Sequence, residues 1–166
     1  PALDEAPWKG LFARIAALGW QVEVHAEAAA WPLLLPGLQR AGTPIVIDHF
    51  GRPDRSLGAA CPGFRSVLAA VSTALIWVKL SAPYRFGMAA ATDCAAALLD
   101  AAGPGRLLWG SDWPWTQQPP GLAYDQTLAW LEGWVPDPRA RQTILDGTPR
   151  ALFRFPSVAE PEQAIL

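Results

Sequence analysis

The chain has only two histidines, and each closes a short apolar run: Gln-Val-Glu-Val-His over 21–25 and Ile-Val-Ile-Asp-His over 45–49. A third run, Leu-Leu-Trp-Gly-Ser-Asp over 107–112, closes on an aspartate. A fourth, Ile-Trp-Val-Lys-Leu-Ser over 76–81, closes on a serine with Tyr84 and Arg85 just behind it. Asp112 is the first candidate for chemistry, because a carboxylate at a strand end can take a proton from water or hold a metal-bound hydroxide. The competing role is to cap the turn that follows it. His49 could polarise a carbonyl or ligate a metal through one ring nitrogen, or simply be a hydrogen-bonded histidine at a buried strand end. His25 is a candidate for contact with a substrate or for the lining of a pocket mouth. Ser81 has no neighbouring histidine in sequence and no Gly-x-Ser-x-Gly turn occurs, which argues against a serine nucleophile.

The four runs are β-rich, short, and each followed by a turn signal. Between and around them lie helical patterns over 4–18, 28–41, 63–73, 88–102, 123–134 and 138–153. Strand and helix alternating at this spacing predict parallel βα units. In such a fold the carboxyl ends of the strands form the site face, which is where the polar closing residues fall. Alternation puts Glu23 with His25, Ile45 and Ile47 with His49, Lys79 with Ser81, and Leu108 and Gly110 with Asp112. It sends Asp48 to the opposite face, as a structural residue. Glu23 and Lys79 lie deeper on the site faces, where opposite charges are expected to pair. Arg52, in a Gly-Arg-Pro turn, is expected to brace its loop. Trp113 and Trp115 either wall an aromatic substrate or pack in the core or an interface.

At 166 residues the chain is long enough for one domain with a good core. Apolar residues make up 51% and charged residues 17%, which suits buried parallel strands or a surface that expects more protein. The net charge of −2 gives no basis for nucleic acid or anionic membrane as a partner. Cys61 and Cys94 form no ligand pattern and fit a reducing cytosol, with a single disulfide as the alternative. No signal peptide and no apolar run of ~20 residues is present, so a cytoplasmic location is expected. The 17 prolines punctuate loops and open helices rather than forming a tract. Residues 156–166 read as a loosely held tail.

Four stretches carry a family resemblance: Ile-Asp-His-Phe-Gly-Arg-Pro (47–53), Val-Lys-Leu-Ser-Ala-Pro-Tyr-Arg (78–85), Leu-Leu-Trp-Gly-Ser-Asp-Trp-Pro-Trp (107–115) and the closing Thr-Ile-Leu-Asp-Gly-Thr-Pro-Arg-Ala-Leu-Phe-Arg-Phe (143–155). Together and in this order they resemble the amidohydrolase-related (β/α)8 barrel hydrolases. Within these, the resemblance is closest to the branch of 2-pyrone-4,6-dicarboxylate lactonases. It implies that residues 1–155 form the second half, about four strands, of such a barrel. In that family the first strand carries a His-x-His pair, which this chain lacks. A preceding N-terminal half, a second copy or another chain would complete the barrel, unless the half sheet has re-formed as an open layered fold.

The resemblance also implies roles. Asp112 would activate water, and His49 would polarise the scissile carbonyl of a small carboxylated lactone or related cyclic ester. Arg85 would hold the substrate carboxylate, a task suited to its planar fork. Ser81, Tyr84, His25 and Trp113 would line the substrate. The lactonase-like branch implies no metal, whereas other branches imply zinc or manganese, for which His49 and Asp112 are the ligands this chain could offer. Two alternatives remain at this point: a metal-dependent decarboxylase on the same scaffold, and a catalytically inactive half barrel acting as a structural subunit.

Overall fold

The computed structural model describes residues 3, 5–73, 75–117 and 121–156. Of the tail expected over 156–166, all but Pro156 lies outside the described residues. Four strands, β1 (Val22–Val24), β2 (Ile45–Ile47), β3 (Ile76–Leu80) and β4 (Leu107–Trp109), pair in one sheet in sequence order, every pair parallel. A parallel pair needs a long crossover, and helices supply it here. Helix α1 (Ala6–Ala17) precedes the sheet. Helices α2 (Trp31–Gln39), α3 (Pro62–Val71) and α4 (Met88–Ala102) cross between strands, and α5 (Tyr124–Trp134) follows β4. This is the arrangement expected of four consecutive βα units of a barrel.

Local chemistry fixes the helix bounds. Pro62 opens α3 at a position whose N–H has no intrahelical partner. Helix α4 is rich in alanine and stops at Gly103, whose φ of +67° suits glycine. Gly63 is required for a different reason, since a Cβ there would lie 1.8 Å from the Ala28 carbonyl oxygen. That close approach seats α3 against the loop after β1. The segment expected as one helix over 138–153 is divided: α6 (Pro138–Gln142), a π-helical turn (Thr143–Gly147) and α7 (Thr148–Phe153). Pro149 has no N–H to give the preceding turn, which accounts for the wider turn before it.

The two sheet faces differ. Ile45, Ile47, Ile76, Val78, Leu80 and Leu107 are at most 1% exposed and pack with Phe64, Val67 and Leu98 from the helices. The other face carries Glu23, Lys79 and the site. The strands are shorter than the apolar runs, and their register corrects one expectation. Asp48 was expected on the face away from the site, but Ile47 registers with Val78, so Asp48 stands beside Lys79 and its carboxylate lies 2.8 Å from Lys79 Nζ. Alternation itself holds at Asp48, which lies on the face opposite Ile47. The misassigned point is the site face, because Ile45 and Ile47 pack under the helices and His49 leaves their face as the chain turns through His49 (φ +51°) and Phe50 (φ +59°). His49 reaches the site by that turn, not by the pleat.

Candidate active site

Above the carboxyl ends of the strands lies a cavity of about 680 Å³, lined by His25, His49, Ser81, Arg85, Asp112 and Trp113 among others. Asp112 follows β4 in a left-handed backbone conformation (φ +56°), at the start of a turn with a cis Trp113–Pro114 peptide. The turn is closed by main chain, with Trp115 N donating to Asp112 O at 2.8 Å. The carboxylate is therefore not spent on capping. Its Oδ2 accepts from Tyr84 OH at 2.5 Å and from Arg85 Nε and Nη2 at 3.1 and 2.9 Å. Its Oδ1 faces His49 Nε2 at 3.7 Å. One oxygen anchors and the other looks toward the imidazole.

His49 is 6% exposed, and its Nδ1 lies 2.8 Å from Oγ of Ser81, itself 2% exposed. The His25 ring meets His49 edge to face with centroids 4.9 Å apart. Arg52 Nη1 donates to His25 Nε2 at 3.2 Å, and Arg52 Nη2 pairs with Glu27 at 3.1 Å. A guanidinium only donates, so in this contact His25 accepts through Nε2. Arg52 thus braces its loop, as expected, and does so through a site histidine.

Beneath these groups Lys79 Nζ lies 2.8 Å from both Glu23 Oε2 and Asp48 Oδ1. The Glu23–Lys79 pairing was expected; the Asp48 arm was not. Register counted from β3 would have revealed it. Gly110 leaves room for the lysine stem, since a Cβ there would meet Lys79 Cδ at 3.2 Å. Thr116 and Gln117 also line the cavity, and no motif or periodicity singled them out.

The electrostatics separate the two central groups. Burial pushes the Asp112 carboxyl upward, but the Tyr84 and Arg85 hydrogen bonds and the His49 and Arg85 charges outweigh it, holding its pKa below the ordinary 3.8. Burial lowers His49 from 6.5, and the Asp112 and Asp48 charges that oppose it do not restore the value. Tyr84 is raised, by burial and then by its bond to Asp112, and stays a phenol. Lys79 loses to burial but gains more from Asp48 and Glu23, so its pKa rises above 10.5. At neutral pH the pocket holds a carboxylate, a neutral imidazole and a charged arginine.

The structure thus gathers His25, His49, Ser81, Arg85, Asp112 and Trp113 around one cavity, with Tyr84 behind Asp112. Trp113 is 70% exposed at the rim. Asp112 Oδ2 is taken by Tyr84 and Arg85, and His49 Nδ1 by Ser81. That leaves Asp112 Oδ1 and His49 Nε2 as the two donors facing the cavity, one fewer than the three protein ligands a catalytic zinc usually takes. No group of three or more His, Cys, Asp or Glu side chains is poised for a metal among the described residues.

Parallel βα units with polar groups converging at the strand carboxyl ends define a segment of a (β/α)8 barrel whose site lies on its top face. The chain belongs to the amidohydrolase family Amidohydro_2, which it matches over residues 1–155. It is 30% identical over 152 residues to a D-galactarolactone isomerase of Agrobacterium fabrum, covering 87% of this chain and 52% of that protein. It is 31% identical over 160 residues to a 4-sulfomuconolactone hydrolase of Rhizobium radiobacter, covering 92% and 53%. It superposes on the crystal structure of a putative 2-pyrone-4,6-dicarboxylic acid hydrolase of Pseudomonas putida with a TM-score of 0.87 at 39% identity, covering 96% of this chain and 60% of that one. The chain spans about half the length of the curated relatives it matches.

Proposed function

We propose that this chain carries the water-activating half of a lactone hydrolase acting on a small carboxylated ring. The observation that carries the proposal is the division of labour at Asp112: Oδ2 held by Tyr84 and Arg85, Oδ1 turned into the cavity beside His49. A water on the Oδ1 side can lose its proton to Asp112 as it attacks the ring carbonyl, and the acid then returns that proton to the leaving oxygen. His49, neutral, supports the developing oxyanion with an N–H. Arg85 spends Nε and Nη2 on Asp112, and among the described residues none takes Nη1. That edge suits a substrate carboxylate. Two relatives named as hydrolases of acidic lactones support the substrate class. The free, buried Cys61 and Cys94 support a cytoplasmic location.

The test uses the full-length protein, a panel of small carboxylated lactones and Asp112→Asn. The variant is expected to lose on the order of 10²–10⁴ in kcat while still binding substrate in a calorimeter. Turnover retained in the variant would remove Asp112 from the mechanism. The product decides the reaction. A gain of one water in mass is hydrolysis, unchanged mass is the isomerisation named for the Agrobacterium relative, and loss of carbon dioxide is decarboxylation. No turnover across the panel is the result expected of a structural subunit.

A further inference from the structure

We propose that Ser81 is a positioning residue that locks His49 as an N–H donor toward the reacting oxygen. The proposal rests on the lactone reading for its function but not for its geometry.

His49 has two tautomers, and its two partners choose between them. Nε2 faces Asp112 Oδ1 at 3.7 Å, and an ionised carboxylate only accepts. A proton on Nε2 points at that oxygen, whereas a lone pair there would face another lone pair. Nδ1 must then be the acceptor, and the group beside it is the Ser81 hydroxyl at 2.8 Å. A serine hydroxyl can rotate to donate, so it completes the pattern. Both residues are buried, at 2% and 6% exposure, so the bond is shielded from bulk solvent. Loss of the hydroxyl leaves Nδ1 unpaired inside the protein.

The backbone is built to make this contact. Ser81 directly follows β3 and precedes Ala82, which is left-handed at φ +49°. His49 lies beyond the end of β2 in its own left-handed turn. The two bends bring together residues 32 positions apart. The consequence is chemical. A histidine held with its proton on Nε2 offers a hydrogen bond to a carbonyl oxygen or oxyanion, and Asp112 is left as the base. The ring of His25 covers one edge of His49 and is itself fixed by Arg52, so the imidazole has little freedom to turn.

The experiment records long-range ¹H–¹⁵N spectra of histidine-labelled full-length protein without substrate, with His49 assigned by the His49→Gln spectrum. The wild type is expected to show His49 protonated on Nε2 alone. Ser81→Ala is expected to show mixed or reversed tautomers and to lose kcat on the order of 10- to 100-fold, the range for removing a group that orients a functional histidine, with KM within about twofold. Ser81→Thr, which keeps a hydroxyl, is expected to restore both. Ser81→Cys, a small and weak donor, gives an intermediate result and carries the test if the alanine variant does not fold. An unchanged tautomer in Ser81→Ala overturns the proposal, as does a rise in KM with kcat intact, which would make Ser81 a substrate contact. The spectra need no turnover. A tautomer that shifts in a protein inactive on every lactone would therefore fail the lactone reading while leaving the Ser81–His49 lock standing.

Discussion

At the scale of single residues, the site separates a charged base from an uncharged donor: hydrogen bonds and charge hold Asp112 low against its burial, while burial lowers His49. His49 is lowered from 6.5 mainly by burial, so the unfolded chain binds a proton that the native chain refuses. The sign follows directly. This contribution to stability is complete above pH 6.5 and is lost as pH falls through the native value. Asp112, held below 3.8, adds a second loss at lower pH still. Denaturation midpoints measured from about pH 7.5 to 5 should therefore fall on the acid side of 6.5, with a slope for this group of at most about 1.4 kcal/mol per pH unit. His49→Gln should flatten that slope, and an equal slope in the variant would place the titration elsewhere. The sequence made His49 and Asp112 visible because polar residues closing apolar runs are conspicuous. It could not show that Oδ2 of Asp112 is bonded to Tyr84 and Arg85, since those bonds join residues 27 and 28 positions apart.

At the scale of elements, what matters is where each strand stops. The parallel pairing, the four βα units and helix α4 were legible from spacing and composition, because a period of two and a helical period leave separate marks. The face of Asp48 was not, because alternation puts it opposite Ile47 but does not say which face holds the site, and His49 reaches the site by a turn rather than by the pleat. The result is a lysine held by two carboxylates, Glu23 and Asp48, at 2.8 Å each. Lys79 is 21% exposed and Asp48 16%, so the cluster is neither a surface pair nor a fully buried one. Its worth falls between the ~0–1 kcal/mol of exposed pairs and the ~3–5 of buried pairs broken on one side. Lys79→Met is expected to cost about 1–3 kcal/mol in urea denaturation, because it leaves two like charges facing each other. Adding Asp48→Asn and Glu23→Gln to that variant should recover a large part of the loss. A triple variant no more stable than Lys79→Met would show that the lysine acts by packing its stem against Gly110 instead.

At the scale of the whole molecule, the sheet has order and direction but no closure. Strand β1 pairs only with β2, and β4 only with β3, among the described residues. The solved relative that superposes on this chain with a TM-score of 0.87 is covered to 60%, so this chain matches only part of that structure. An open parallel sheet exposes backbone donors and acceptors at both edges and one uncovered face, and a parallel sheet is ordinarily covered on both. Here that face carries Glu23, Lys79 and the cavity, while Trp20, just before the β1 edge, is 61% exposed. A polypeptide of these 166 residues alone is 17.9 kDa and is expected to associate with itself through those edges. In light scattering after size exclusion it should run well above that mass and spread with concentration. The same residues joined to the preceding half of a relative's barrel should give one narrow species, because closure removes the edges. A chain that stays monomeric on its own at high concentration would mean that α1 and the loops around Trp20 already cover the β1 edge. The site on the top face would then be held by four strands without help from the other four.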